Sequence, residues 1–370
     1  MRVRRRISLI IAGAALASLL VSSCAPTTAP QPTPTASPKT ASATPAAASQ
    51  ATPTVAARPQ AGGVITVYSG RSKELVGPLL DRIGKELGVE VRVRYGDTAQ
   101  LAAAILEEGS RTPADVFFAQ DAGALGALSK AGLLAKLPDS VLDRVDKRFR
   151  SPKGEWVGVS GRARVVAYNT QSLKESDLPE SIWGFTDPKW KGLIGWPPTN
   201  ASFQAFVTAM RVLEGEEKAR QWLKGIQANN PKTYPNNNAA IQAVASGEIQ
   251  VAFINHYYLF GQLKEKGESF AARNYYPKKG DVGALMNVAG VGVLSAAKDK
   301  KAAETFVQYL LSEVSQRYFA EQTFEYPLVQ GIPADQRILP LSQLETPNID
   351  LSNLDDLNGT LKLMRELGIL

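Results

Sequence analysis

From residue 63 onward, short β-branched runs alternate with helical segments, and that alternation restricts the chain to α/β architectures. "VITVY" (Val64–Tyr68) reads as a strand, and "KELVGPLLDRIGKELG" places Leu75, Leu79, Ile83 and Leu87 at helical spacing with Gly88 as a stop. "VEVRVRY" (Val89–Tyr95) alternates with period two, as a strand does. The helical "AQLAAAILEEG" follows, then a third strand in "ADVFFA" (Ala114–Ala119) and the helical "QDAGALGALSKAG". Strands and helices at this spacing predict βα units and a parallel sheet covered on both faces. Ligands of such sheets gather at the carboxyl ends of the strands, which draws attention to the loops Ser69–Ser72 and Gln120–Ala122.

A chain of 370 residues that is 44% hydrophobic has room for two lobes rather than one. The second is expected to begin near "GRARVVAYNT" (Gly161–Thr170), followed by a strand, a Pro-containing turn and a helix in "GLIGWPPTNASFQAFVTAMRVL". That helix carries Phe203, Phe206, Val207 and Met210 on one face. In "GEIQVAFINHYYLFGQLKEKG", Ile249–Ile254 reads as a strand, Asn255-His256 as a turn, and Tyr257 as the start of a helix. A further strand and a long helix lie in "NVAGVGVLSAAKDKKAAETFVQYLLSEVSQRYFAEQ", and no internal repeat has a fixed period.

The formal charge of +7 does not belong to the folded part. Residues 1–60 hold Arg2, Arg4, Arg5, Arg6, Lys39 and Arg58 and no acidic residue; subtracting those six from 42 leaves 36 basic against 35 acidic residues. The electrostatic footprint of a nucleic-acid binder is therefore missing. "MRVRRR" followed by "ISLIIAGAALASLLV" has the form of a signal peptide, and it runs into "VSSC" with the only cysteine of the chain, Cys24. The small residues before Cys24 resemble the lipobox of bacterial lipoproteins. That resemblance implies a signal peptide over 1–23, cleavage before Cys24 and lipidation of its thiol. Residues 24–60 would then comprise the lipidated cysteine and a Pro/Thr/Ala-rich tether, too poor in apolar side chains to repay the entropy of ordering. With its one cysteine in the anchor, the mature chain has no disulfide, thiol catalysis or thiolate ligand.

Tyr257 and Tyr258 follow the only histidine, His256. In a strand, neighbouring side chains point to opposite faces; in the first turn of a helix they diverge by roughly 100°, so both can lean into one cleft. A phenol titrates near 10 and stays protonated at neutral pH unless a strongly Lewis-acidic cation displaces its proton. A hard trivalent ion such as Fe(III) does this far better than Zn(II) or Mg(II). One histidine without cysteines does not make a zinc site of the usual spacing.

"VYSGRSKELV", "GSRTPADVFFAQDAGALGALSKAGLL", "VSGRARVVAYNT", "GWPPTNASF", "TYPNNNAAIQAVASGEIQVAFINHYY" and "EYPLVQGI" occur in the order seen in bacterial periplasmic ferric-ion-binding proteins. From about residue 63 to its end the chain resembles these transferrin-like solute receptors of iron ABC importers. The resemblance implies an α/β, two-lobed periplasmic-binding-protein fold of type II (a venus flytrap), each lobe a central mixed β-sheet flanked by helices. Its lobes would be an N-lobe over 61–162 with a return segment 288–338, and a C-lobe over 163–287 with a C-terminal segment 339–370. It implies Fe(III) as cargo, ligated by Tyr257 and Tyr258, with phosphate or carbonate as synergistic anion. The anion-holding segment corresponds to Asn200, Ala201 and Ser202 at a helix start, assisted by Asn237 and Asn255, with Arg162 and Arg164 on the hinge side. Helix N-terminal amides and amide side chains make a physically sensible oxyanion cradle.

Two positions depart from the family pattern. Ser72 stands where an imidazole ligand is often found, and Gln120 where a carboxylate is. Ser72 and Gln120 are weaker donors, and an exogenous anion, water, Asp121, Tyr68 or Tyr168 is left to complete the coordination, although for Tyr168 packing is the leading reading. His256 reads as a capping or packing residue, and Asn236–Asn238 as a turn or cap in which Asn237 also reaches the anion. The expected function is a lipid-anchored, extracytoplasmic, monomeric receptor that hands Fe(III) to an ABC importer permease and binds no nucleic acid. The alternative keeps the receptor and changes the cargo to a ferric chelate or a phosphonate-type organic anion. A surface hydrolase is the remote alternative, since there is no G-x-S-x-G elbow and no Asp/Glu pair marked by spacing.

Overall fold

A computed structural model describes residues 63–370; the signal peptide, Cys24 and the tether expected over residues 1–60 lie outside the described residues. The first lobe opens with β1 (Val64–Ser69), α1 (Lys73–Leu87), β2 (Glu90–Tyr95), α2 (Thr98–Glu108), β3 (Val116–Ala119) and α3 (Ala122–Lys130). Helix α1 stops where the sequence indicates, because Gly88 takes the left-handed conformation (φ 66°) that other residues resist. Strands β2 and β3 flank β1 in parallel, with Val64 opposite Glu90 and Val67 opposite Val116. Their carboxyl ends lead into Gly70–Ser72, Gly96–Asp97 and Gln120–Asp121. Asp97 and Asp121 cap the helices that follow, accepting from the backbone N–H groups of Ala99 and Ala124.

After the short α4 (Asp139–Leu142) comes β4 (Val157–Asn169), 13 residues long and four residues earlier in its start than Gly161. This strand carries the chain from one lobe into the other. The second lobe continues with β5 (Ile194–Trp196), α5 (Ala201–Glu214), α6 (Glu216–Ala228), β6 (Lys232–Thr233), α7 (Asn237–Ala245), β7 (Val251–Asn255), α8 (Tyr257–Lys266) and β8 (Ala272–Tyr275). The return is β9 (Met286–Val293), α9 (Lys300–Leu310), α10 (Glu313–Glu321), β10 (Tyr326–Pro327) and α11 (Leu357–Glu366).

The first half of β4 pairs antiparallel with β9, from Val157 opposite Val291 to Ala163 opposite Met286. Its second half pairs antiparallel with β7, from Arg164 opposite Asn255 to Tyr168 opposite Val251, and with β8. The changeover falls at Arg162–Arg164. An entirely parallel sheet is therefore not what forms. β1, β2 and β3 are parallel, as are β5, β6 and β7, but β4 and β9 cross between the lobes and must run against their neighbours. The sheet is mixed, as the two-lobed fold class requires.

This topology positions the site. Each lobe turns the carboxyl ends of three parallel strands towards the same opening, with β5, β6 and β7 leading into the starts of α5, α7 and α8. Behind these ends the second lobe is held by aromatic packing. Phe203, Phe206, Val207 and Met210 of α5 are all buried, and the Phe206 and Phe253 rings lie 5.5 and 5.3 Å from Trp222. Each fully buried Phe contributes roughly 1.5–3 kcal/mol. The C-terminal segment reaches both lobes: residues Leu351–Asp355 pack on α3, and α11 packs on α5 through a Thr208–Thr360 hydrogen bond of 2.7 Å. Among the described residues, no helix is long and apolar enough to cross a membrane.

Candidate metal and anion centre

Strand β7 ends at Asn255, one residue later than its hydrophobic run suggests, and His256 forms the turn into α8. Tyr257 and Tyr258 are thus the first two helical residues. Their Cα–Cβ directions diverge, yet their rings do not: they stack with centroids 4.2 Å apart and planes 28° from parallel. Rotation about the side-chain bonds brings both phenols to the wall of one cleft of about 1020 Å³, which Ser72, Gln120 and Asn200 also line. Tyr257 is buried and Tyr258 half-buried. Burial, then the neighbouring Tyr258, pushes the Tyr257 phenol well above 10, against the pull of Arg71 and Arg162. Left to itself this phenol stays protonated; a bound cation has to displace the proton.

Three buried guanidinium groups, those of Arg71, Arg162 and Arg164, stand near the pair. Arg162 and Arg164 are two apart on β4 and share a face of the strand. Arg71 Nη2 donates to Glu325 Oε2 at 2.6 Å. Arg162 donates only to the Val288 carbonyl, at 3.3 Å, and its Nε and Nη1 have no partner. Arg164 Nη1 donates to Asn255 Oδ1 at 3.1 Å and Ser202 Oγ at 3.4 Å, while its Nη2 has none. Burial and the charge of Arg162 pull Arg164 down to about 9; burial and Arg71 lower Arg162. A guanidinium keeps its proton in a protein. These shifts therefore express an unmet demand for negative charge.

The acceptor side of the cradle is built at the starts of α5 and α7. Asn200 caps α5, its Oδ1 accepting from the Ser202 N–H at 3.1 Å, the Ser202 hydroxyl at 2.6 Å and Asn237 Nδ2 at 3.2 Å. Asn236 caps α7, leaving Asn237 as its first helical residue, fully buried with Oδ1 unpartnered. Asn255 Nδ2 is likewise unpartnered. The structure thus brings Asn200, Ala201, Ser202, Asn237, Asn255 and Arg164 into one network at a helix N-terminus, with Arg162 beside it. The unpaired buried donors of Arg162, Arg164 and Asn255 around the amide end of a helix are suited to an oxyanion, whereas the unpartnered Asn237 oxygen is an acceptor, and Asn237 reaches an anion only through its amide nitrogen.

Residues 111–351 match the family model of the bacterial extracellular solute-binding proteins. The major ferric iron-binding protein of Neisseria meningitidis is 37% identical over 308 residues, which is 82% of this chain and 93% of that protein. Iron-bound HitA of Pseudomonas aeruginosa is also 37% identical, with a TM-score of 0.79 over 83% of this chain and 100% of that one. The chain belongs to the ferric-ion-binding branch of the bacterial extracellular solute-binding proteins. A Trichodesmium protein of this fold, IdiA (FutA), solved with iron and citrate, is 30% identical with a TM-score of 0.72 over 83% and 100% of the two chains.

The opposing wall of this solute-binding protein is weaker in donors. Ser72 and Gln120 do line the cleft. Asp121 turns inward instead: its carboxylate accepts from the Ala124 N–H at 3.2 Å, and burial raises it although Arg162 pulls it down. Tyr168 is not brought to the site. It lies four residues along β4 from Arg164, about 13 Å at ~3.3 Å per residue, opposite Val251. Tyr68 is also elsewhere, its hydroxyl donating to Glu108 at 3.1 Å. His256 is wholly buried, with Nδ1 accepting from the Ala163 N–H at 3.1 Å and Nε2 donating to the Phe324 carbonyl at 2.9 Å; neither nitrogen is left for a ligand.

Arg71, Glu325 and the cleft-lining Glu74 escape a reading of the sequence. Arg71 lies in the loop Ser69–Ser72 and Glu325 in "EYPLVQGI", so each has a local signal, but no pattern pairs residues 254 apart. Among the described residues no group of three or more His, Cys, Asp and Glu side chains is placed to hold a metal ion. Besides the two phenols, a metal in this cleft would meet only scattered carboxylates, those of Glu74, Asp97 and Glu265, and the donors it brings along.

Proposed function

We propose that this protein captures Fe(III) between its lobes on the phenolates of Tyr257 and Tyr258, together with an oxyanion held by Asn200, Ala201, Ser202, Asn237, Asn255, Arg162 and Arg164. The carrying observation is the stacked tyrosine pair beside unpartnered, buried guanidinium nitrogens. Two phenolates leave one positive charge on a ferric ion, and the buried arginines add more. A phosphate or carbonate dianion offsets that excess and supplies the oxygen donors that Ser72 and Gln120 do not. Cargo that touches both lobes favours the closed state, because its contacts to the second wall form only on closure.

Members of this family act outside the cytoplasm, and delivery to the permease of an ABC importer completes the reading. Lipidation at Cys24 would hold a monomeric receptor at the outer face of the membrane, with lobes divided at about residues 162 and 287. Catalysis forms no part of it. Titrating Fe(III) into the protein in phosphate or carbonate is expected to raise a visible tyrosinate charge-transfer band that Tyr257→Phe/Tyr258→Phe abolishes. Absence of the band together with absence of tight iron binding in either anion overturns the ferric assignment.

A second reading is a ferric chelate as cargo. The weak donors at Ser72 and Gln120 favour it, and so does the Trichodesmium protein, which holds both iron and citrate. Native mass spectrometry of protein loaded with ferric citrate separates the two: the added mass is iron and a small inorganic anion, or iron and citrate. Stabilisation by a phosphonate without iron would instead point to an organic anion.

A further inference from the structure

Phe324 is one of three non-glycine residues with positive φ among the described residues, at 56°. A bulky residue holds that conformation only where its surroundings impose it. Here they do so from two sides. The Phe324 carbonyl accepts the Nε2–H of His256 at 2.9 Å, and His256 Nδ1 accepts from Ala163 on the crossing strand, which fixes the imidazole tautomer. The adjacent Glu325 is completely buried, and its Oε2 accepts from Arg71 Nη2 at 2.6 Å and from the Thr323 hydroxyl at 2.9 Å. Tyr326 then pairs with Gly161 on β4 and packs its ring 4.8 Å from that of His256.

Two consecutive residues thus hold opposite walls of one cleft. Phe324 holds the turn from which the tyrosine helix starts; Glu325 holds the guanidinium that faces the tyrosines from the first lobe. A fully buried ion pair is weak grounds for stability, because apolar side chains of similar volume often do as well, whereas it fixes geometry closely. Arg71 Nε and Glu325 Oε1 remain unpartnered, so the pair is not saturated by the protein alone.

We infer that Phe324 and Glu325 form a joint between the two walls, and that Glu325 is a positioning residue for cargo capture, setting Arg71 against Tyr257 and Tyr258. The iron arm of its test rests on the ferric reading of the cleft; a second arm does not. In the iron arm, Glu325→Gln is expected to shift the tyrosinate band and to release iron to excess citrate at least tenfold faster. Arg71→Gln/Glu325→Gln, which removes the uncompensated charge, is expected to recover the thermal midpoint but neither the band nor the release rate. A folded Glu325→Gln protein with the native band and release rate overturns the inference, even if its thermal midpoint falls.

The metal-free arm uses the single histidine as a probe. In nitrogen-15-labelled protein without iron, the His256 Nε2–H should give one slowly exchanging resonance. Glu325→Gln is expected to shift it and to speed its exchange at least tenfold, while Glu313→Gln on the exposed face of α10 leaves it unchanged. An unmoved resonance in Glu325→Gln overturns the joint. If the native protein shows no iron band but the resonance responds to Glu325→Gln, the ferric reading fails and the joint stands.

Discussion

The rings of Tyr257 and Tyr258 stack at 4.2 Å although the two residues are consecutive in a helix. Two phenols in such contact cannot both ionise cheaply, since the second phenolate would form against the charge of the first. A trivalent cation between the oxygens and the cleft removes that repulsion. The pair is therefore suited to a highly charged ion and poorly suited to a monovalent one. Tyr257→Phe and Tyr258→Phe singly are each expected to lower ferric affinity by more than about 100-fold, beyond the 10–100-fold typical of losing an outer-shell partner. Competition with citrate, followed by absorbance, measures it; equal affinity in either variant removes that tyrosine from the site.

His256 makes a prediction about pH. Burial is the main cause that pulls its imidazole down to about 3 from 6.5, outweighing the bond to the Phe324 carbonyl. With the folded value below the unfolded one, the unfolded chain takes up the proton first. Its contribution to stability is complete above pH 6.5 and is lost as pH falls towards 3, at roughly 1 kcal/mol per pH unit. Urea unfolding at pH 7 and pH 5 should show the native protein losing more than His256→Gln does. A native protein whose pH dependence matches that variant would show that the ring is not held neutral.

Three glycines should respond to alanine, for two different reasons. At Gly88 nothing lies within 4 Å of an added Cβ, and the cost is the left-handed backbone alone, about 1 kcal/mol. At Gly123 an added Cβ would overlap the Leu354 carbonyl oxygen, and at Gly126 it would come within 2.8 Å of the Ser352 carbonyl. Gly123→Ala is expected to cost about 1–3 kcal/mol and to loosen the C-terminal segment from α3. Limited proteolysis should then cut residues 345–356 sooner in Gly123→Ala than in Gly88→Ala.

Much of this site was legible because its parts are local. A hydrophobic run followed by Tyr257-Tyr258 marks a strand end and a helix start, and Asn200 and Asn236 are capping residues in recognisable positions. Strand periodicity did not decide whether Tyr168 joins the tyrosine pair, because only the crossing register of β4 places Tyr168 at the far end of the sheet. Arg71 and Glu325 were hidden for a related reason: their contact is made by the return of the chain through α10, a tertiary event without a local pattern. The antiparallel members of the sheet follow from the same crossing.

Arg164 joins stability to function, and the sign of its removal differs between them. With its Nη2 unpartnered and Arg162 two residues away, its charge is a liability unless an anion is bound. Replacing it with a residue of similar length and no charge, Arg164→Met, should raise the thermal midpoint of the iron-free protein. On the proposed function the same change would remove a charge-assisted contact to the anion worth about 1.5–3 kcal/mol, so phosphate affinity should fall roughly 10- to 100-fold. A bound anion would stabilise the native protein by mass action, by an amount that grows with the logarithm of its concentration over its dissociation constant. Thermal midpoints measured across a phosphate series should therefore cross: Arg164→Met higher without phosphate, the native protein higher with it. Parallel curves would mean that the anion is held without Arg164, and a lower midpoint for Arg164→Met without phosphate would mean that its bonds to Asn255 and Ser202 outweigh the crowding of charge.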